Sequence, residues 1–273
     1  MIVTHKIPWD KCLSHQLWPA IEKGWKDEDR PIHFFWGLAG KNIPEIRECE
    51  QKGEEWWYVD TGYLSKQIIR YPEPKIEDYD KTYFRIIKGG IHTIRGLVPA
   101  EHTRVTELEH KGIDIEFKGW NTKGENIILA PSSPTVTYHI NGISQEEWIK
   151  QVGEEVRKHT DRPIKVRNKP RPNNEFWGTD IKDDIKNAWC VVTNMSLSAI
   201  DGILNMTPGF THQRNVASLV TSRKINLIEK PFKPGRKTVQ EWLNMTANHQ
   251  FTIQEIEDGL AFDTLKVQYQ NGG

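Results

Sequence analysis

Short apolar runs of strand length alternate along the chain with stretches whose apolar residues recur at helical spacing, the mark of βαβ units and a largely parallel sheet. Two such series are present. The first predicts strands over 2–7, 31–36 and 56–60, separated by helices over 9–23 and 44–51. A less regular middle follows, with prolines at 72 and 74, a strand over 83–88, the Gly89-Gly90 break and a glycine- and charge-rich linker zone over 112–124. The second series predicts strands over 126–130, 163–166 and 189–193, with helices over 144–158, 180–187 and 196–206. Two terminal helices are expected over 239–247 and 253–260. Ser144 with Glu147, Thr238 with Glu241 and Thr252 with Glu255 each form an S/T-x-x-E pattern, in which hydroxyl and carboxylate satisfy free backbone N–H groups at a helix start. On the first of these helices Trp148, Val152 and Val156 form one apolar stripe to lay on a sheet. The expectation is an α/β fold of two Rossmann-like halves facing a cleft, the N-terminal half reduced. Its divisions are 1–120, 121–260 and a C-terminal tail over 261–273.

Composition narrows the class. Across 273 residues, 37 Lys and Arg balance 37 Asp and Glu, so no global field draws the chain onto nucleic acid or an anionic membrane. Charge is unevenly spread, however. The ten residues from Arg162 to Arg171 carry five cations and no acid, and the stretch from Arg214 to Lys237 carries seven cations against Glu229. A polyanion would therefore be met on one face. No run approaches the roughly 18 apolar residues of a spanning helix, and the first residues are too polar for a signal peptide, which predicts a cytoplasmic address without membrane contact. Three cysteines without C-x-x-C spacing indicate neither a disulfide framework nor a zinc ribbon. The chain holds no H-E-x-x-H, G-x-S-x-G, G-x-G-x-x-G or G-x-x-x-x-G-K-[ST]. Asp27-Glu28-Asp29 reads as a polar turn, and between His102 and His110 the ligand-type residues are only the carboxylates Glu107 and Glu109.

In open parallel sheets ligands gather at the carboxyl ends of strands. Four such exits carry chemistry. Ser132 and Ser133, between prolines, suit a phosphate or a plain turn. Arg167 and Lys169 leave the strand over 163–166 and suit a diphosphate clamp or a solvated face. Asn194 and Ser196 follow the strand over 189–193; Ser196 suits a helix N-cap, alone or with an anion at the helix start. Asp201 lies five residues further, as a ribose ligand or a surface acid. Asp60, before Thr61-Gly62, suits a general base or an Asx turn.

The segments ILAPSSP at 128–134, RPIKVRNKP at 162–170 and VVTNMSLSAIDGILNMTPGF at 191–210 resemble the nucleotide-binding half of GT-B glycosyltransferases, nearest to small phage-encoded ones. FFWGLAGKN at 34–42, WWYVDTGYL at 56–64 and YFRIIKGGIH at 83–92 resemble the same group more weakly. The resemblance implies transfer of a sugar from a nucleotide-sugar co-substrate, a UDP-sugar, without a cofactor or metal, by a monomer or homodimer. It places Ser132, Ser133, Lys169 and the Ser196 helix start on the donor's phosphates, and Asp201 where the family usually has a ribose-holding glutamate; Arg167 and Asn194 join them as donor-binding candidates from their own strand exits. It places Asp60 and His92 near the acceptor as candidate bases. The phage likeness implies a hydroxymethylated pyrimidine in double-stranded DNA as acceptor. A duplex base must be extruded and stacked, for which Trp57 and Tyr63 are candidates against the alternative that they fill the core. Arg223, Lys224 and Arg236 are candidates to follow the phosphate backbone. The rival readings are a glycan or small-molecule transferase and a catalytically silent nucleotide-binding module.

Overall fold

The computed structural model describes residues 1–5, 13–26, 29–65, 68–69, 73–93, 96–97, 104–121 and 123–270. Trp9, where the first helix was expected to start, Cys12, Pro72, Asp27, Glu28 and His102 lie outside the described residues. The chain divides into two compact units, residues 1–95, 103–113 and 245–273 in the first and residues 96–102 and 114–244 in the second. Each is an α/β unit built on a sheet with parallel strands.

The first unit opens with β1 (Ile2–His5), α1 (Ser14–Gly24), β2 (Ile32–Trp36), α2 (Asn42–Lys52) and β3 (Glu55–Thr61). A two-residue pair, β4 (Ile68–Ile69) and β5 (Lys75–Ile76), precedes β6 (Phe84–Lys88) and the short α3 (Arg104–His110). β1, β2 and β3 run parallel, and β6 returns antiparallel to β3. Phe34, Trp57, Val59, Phe84 and Ile86 form one apolar face under Leu17, Trp18 and Ile21 of α1. Trp25 stands edge-on to Phe34 and Trp57, each at 4.9 Å, and to Phe262 at 5.3 Å. The chain's aromatic richness is spent here: wide rings fill a small core with large buried area.

The second unit contains β7 (Asn126–Leu129), α4 (Pro134–Asn141), α5 (Gln145–Arg157), β8 (Ile164–Val166), α6 (Ile181–Ile185), β9 (Ala188–Val192), α7 (Ser198–Leu204) and β10 (Gly209–Phe210). The four strands are parallel in the order β10-β9-β7-β8. β7 is buried along its whole length, as a central strand covered on both faces must be. Ile127 and Leu129 pack with Trp148 and Val156 of α5, while Ile128 and Ala130 face Ile185 and Val191 on the other side. That alternation is the two-residue period of a strand.

α8 (Arg236–Ala247) leads to β11 (Gln250–Phe251), α9 (Ile253–Glu257) and α10 (Leu260–Gln270). Here the structure departs from the sequence reading, which kept the chain to 260 with the second unit and left 261–273 as a tail. Residues 245–273 belong to the first unit. β11 pairs antiparallel with β6, and Phe251, Ile256, Ala261, Phe262 and Leu265 complete the first core. At Gly24 a Cβ would lie 1.7 Å from the Ile256 carbonyl oxygen, so glycine is what lets the α1 and α9 backbones touch. Ser144 and Thr252 cap their helices as expected, the latter in a full capping box with Glu255. Thr238 does not: α8 starts at Arg236, three residues earlier than expected, with Val239 N–H bonding the Gly235 carbonyl. Among the described residues no helix is long and apolar enough to cross a membrane.

Arg104 of α3 fastens the returning segment. Its guanidinium donates to both Glu255 carboxylate oxygens, at 2.7 and 2.8 Å, and to the Gln250 carbonyl at 3.1 Å. Burial pushes the Glu255 carboxyl upward in pKa, but the Arg104 hydrogen bonds and charge override it and hold the group below its ordinary value. A depressed folded pKa contributes stability above the ordinary carboxylate value, and this is lost as pH falls through the lower folded value. Denaturant midpoints should therefore fall more steeply on acidification in the native chain than in Glu255→Gln; parallel slopes would contradict this linkage.

Candidate functional site

At the carboxyl edge of the second sheet, the loops after β7 and β9 are tied to each other. Asn194 accepts from the Ser132 backbone N–H at 2.9 Å, and the Ser132 hydroxyl accepts from Met195 N–H at 3.0 Å. The Asn194 amide donates to Asn141 Oδ1 at 3.0 Å and to Thr137 Oγ1 at 3.3 Å. Asn215 in turn donates to the Asn194 and Ser196 carbonyls. Ser132 and Asn194 are buried, so their side chains position this edge. Ser133 is more open and caps α4, accepting from Val136 N–H with Pro134 at the first helical position. The sequence pattern predicts no helix there. Ser196 accepts from Ser198 N–H at 3.2 Å, but α7 begins at Ser198, two residues later than expected, with Leu197 at the cap. Asp201 accordingly sits in the first turn of α7, partly exposed.

Arg167 leaves β8 at this same edge, its N–H bonding the Leu129 carbonyl of β7 at 2.9 Å. Its side chain is 2 % exposed. Nη2 donates to Thr179 Oγ1 at 2.8 Å, Nε lies 2.9 Å from an Asp184 oxygen, and the guanidinium stacks on Phe176 at 4.4 Å. Nη1 is buried with no hydrogen-bond partner among the described residues. A buried donor left unmet costs about 1–3 kcal/mol, so this atom marks where an acceptor belongs. Lys169, two residues on, is exposed. The rest of this basic run is partly spent on structure: Arg162 pairs with Glu229 at 3.0 Å and lies over Trp189 at 4.0 Å.

In the first unit, Tyr58 and Asp60 fall on one face of β3, and the β3–β6 register sets Asp60 directly opposite Arg85. The Asp60 carboxylate accepts from Tyr58 OH at 2.8 Å, Thr61 N–H at 2.7 Å and Arg85 Nη2 at 3.0 Å. Arg85 also donates to the Thr61 carbonyl at 2.8 Å and lies 5.3 Å from the Tyr58 and Tyr63 rings. Burial, reinforced at Tyr58 by the Asp60 charge, pushes both phenols above their ordinary pKa and keeps them neutral. Gln250, beside Arg85 in the β11–β6 register, accepts from the Tyr63 and Leu64 N–H groups. His92 is buried with Nδ1 3.4 Å from Tyr63 OH. Thr93 bonds His249 Nε2 at 3.1 Å, while His249 Nδ1 donates to the Met245 carbonyl at 2.8 Å. The structure thus brings Asp60, Tyr63 and His92 into one polar cluster.

The stacking role expected of Trp57 and Tyr63 is corrected. They are 3 % and 2 % exposed. Trp57 lies on the face of β3 opposite Asp60, with its Nε1 bonded to Glu55 at 2.7 Å, and lines a cavity of about 170 Å³ with Lys88, Lys266 and Tyr269. Both faces of the sheet are covered, so the alternation that turns Trp56 and Trp57 to opposite sides buries both. Arg223, Lys224 and Arg236 are exposed on the second unit, Arg223 bonding Gln213 at 3.1 Å. Sequence reasoning missed Arg85, Gln250, Asp184 and Thr179. The two-residue period of β3 points to Tyr58 beside Asp60, but nothing local points to Gln250.

No family model matches the chain, and no curated protein matches it. Among solved structures it is similar to Thermosulfurimonas dismutans KpsC, beta Kdo 2,4 transferase, with 9 % identity over 92 % of each chain and a TM-score of 0.55. It is also similar to Thermosulfurimonas dismutans KpsC, beta Kdo 2,7 transferase, with 13 % identity over 97 % of this chain and 99 % of that one and a TM-score of 0.50. At these identities the likeness speaks for the backbone alone, and it agrees with the two parallel-stranded α/β units: the chain has the GT-B type of glycosyltransferase fold.

Proposed function

We propose that the protein is a glycosyltransferase moving a sugar from a nucleotide-sugar donor to an acceptor hydroxyl. The observation that carries this reading is Arg167: a buried guanidinium at a parallel-strand exit, its backbone N–H on Leu129 at the head of the Ser132 loop and its Nη1 without a hydrogen-bond partner among the described residues. A diphosphate or phosphate leaving group gains negative charge as the glycosidic bond breaks. Fixed donors aimed at that charge stabilise the transition state without reorganising. Arg167 is proposed to supply them, with Lys169, Ser133 and Ser196 at the more open rim and Asp201 toward the ribose. Side-chain cations meet the leaving group in this scheme, so the transfer is proposed to need no metal. Asp60 is proposed as the base that takes the acceptor proton, since its carboxylate is the part of the first unit's cluster that keeps some exposure, 24 %. His92 is then a positioning residue through Tyr63.

For the acceptor, we propose a glycan hydroxyl. Burial of Trp57 and Tyr63 removes the stacking surface an extruded base would need, and the similar solved structures are Kdo transferases. The exposed Arg223, Lys224 and Arg236 favour a second reading, transfer to a hydroxymethylated pyrimidine in DNA. One experiment separates these. A thermal-shift screen of nucleotides and nucleotide sugars, UDP-sugars and a CMP-linked acidic sugar among them, identifies the donor, because a ligand at 100 times its Kd stabilises by about 2.7 kcal/mol. The donor is then offered with oligosaccharides or with hydroxymethylated duplex DNA. Transfer to oligosaccharide alone supports the glycan reading, and transfer to DNA alone replaces it with the second. A flat screen across all donors overturns the transferase.

A further inference from the structure

Away from both clusters, the sheet edge under α2 carries an imidazole relay that ends on an unmatched nitrogen. His5, the last residue of β1, has Nδ1 2.7 Å from Glu45 Oε2 and Nε2 2.9 Å from His33 Nδ1. Phe35 stacks on the His5 ring at 3.9 Å and fixes its plane. An ionised carboxylate only accepts, so His5 Nδ1 carries the proton given to Glu45. With both rings neutral, His5 Nε2 then accepts from His33 Nδ1–H, and His33 Nε2 is left as a lone pair. That atom is buried without a hydrogen-bond partner among the described residues. It faces the Glu54 carboxylate at 3.3 Å, and Cys49 Sγ completes a group whose ligand atoms all lie within 4.8 Å of one another.

Two acceptors facing each other across 3.3 Å repel unless a cation lies between them. Backbone geometry holds them there. Gly53, at φ +67°, ends α2 in a left-handed turn that returns the Glu54 N–H to the Cys49 carbonyl at 2.9 Å. The parallel pairing of Ile32 with Glu55 sets Glu54 beside the start of β2.

We propose that His33 Nε2, Cys49 Sγ and the Glu54 carboxylate bind a divalent zinc-type cation. Imidazole, thiolate and carboxylate are the donor types zinc accepts. Nitrogen and oxygen ligands about 2.05 Å from one tetrahedral ion stand about 3.3 Å apart, the spacing found between His33 and Glu54. Sulfur and nitrogen ligands stand about 3.6 Å apart by the same geometry, so Cys49 needs at most about an ångström of adjustment. Glu45 and His5 orient the ligating ring from behind, as carboxylate-backed imidazoles do at metal sites. The fourth position opens on the side where His33 and Glu54 keep 13 % and 28 % exposure. Such an ion clamps the end of α2 to β2 and β3. This proposal is independent of the donor site, which belongs to the other unit.

The test uses the full chain, stripped with a chelator and dialysed against Zn²⁺ or Co²⁺. One equivalent should bind, and the cobalt form should show a sulfur-to-cobalt charge-transfer band. Cys49→Ser should abolish the band and weaken zinc at least tenfold, Cys190→Ser, in the second unit, should leave both unchanged, and His5→Ala should weaken zinc about 10- to 100-fold. Circular dichroism of Cys49→Ser guards against simple misfolding, with Glu54→Gln as a second ligand variant. No stoichiometric metal after dialysis would show that a proton bridges His33 and Glu54 instead. A cobalt form without the sulfur band, or a band that survives Cys49→Ser, would equally overturn the site.

Discussion

Replacing Arg167 by methionine is expected to slow sugar transfer about 100- to 1,000-fold, the loss that follows removal of one fixed donor from a developing negative charge. Methionine keeps an unbranched stem over Phe176 and removes the charge and every N–H. The effect should fall on kcat and on kcat/KM together, because the leaving group carries its full charge only in the transition state. Arg167 also has a structural share, through Thr179 and the ion pair with Asp184. Asp184→Asn separates the two roles. It breaks the ion pair while leaving Nη1 in place, so it should lower the urea midpoint about as far as Arg167→Met while keeping most of the rate. Equal rate losses in the two variants would reduce Arg167 to a positioning residue. An unchanged rate in Arg167→Met would remove it from the donor site.

Replacing Asp60 by alanine is expected to destabilise the protein by about 3–5 kcal/mol, the cost of leaving a buried charge without its partner. Arg85 is 5 % exposed, and its charge is held by Asp60. Burial lowers the guanidinium pKa and the Asp60 charge raises it; with Asp60 gone, Arg85 still cannot escape by losing its proton, because arginine stays charged inside proteins. The double variant Asp60→Leu with Arg85→Met should recover most of that stability, since buried pairs exchanged for apolar residues of similar size are often neutral. It should not recover the rate. If Asp60 is the base, transfer stays about 100- to 10,000-fold down in the refastened double variant. Full recovery of rate along with stability would assign Asp60 to the fold alone and return the base to another group.

Element positions were largely legible in the sequence, because burial on one or both faces writes a period into the chain. The unbroken apolar run of β7, the Trp148–Val156 stripe and the Ser144 and Thr252 caps each depend on neighbours within a few residues. Ser132, Arg167 and Asn194 were legible as a group for the same reason: in a parallel sheet, the residues after each strand share one edge. What each side chain does there was not legible. Asn194 spends its amide on Asn141 and Thr137, and Arg167 spends most of its fork on Thr179 and Asp184.

Local pattern also could not show what pairs at long range. Nothing near Gln250 announces a two-residue strand on β6, and so the segment completing the first core read as the end of the second unit. Asp60 was visible at its strand end, but Arg85 became its partner only through the β3–β6 register. Trp57 looked available because alternation says which face a residue takes, not whether a helix covers that face. Periodicity and short-range caps alone set out two α/β series, their strand exits and the residue types gathered there. Tertiary structure decided the partners of Asp60, the burial of Trp57 and Tyr63, the return of residues 245–273 and the meeting of His33, Cys49 and Glu54. Each of these rests on pairing between segments far apart in the chain, and such pairing leaves no repeat for a local pattern to carry.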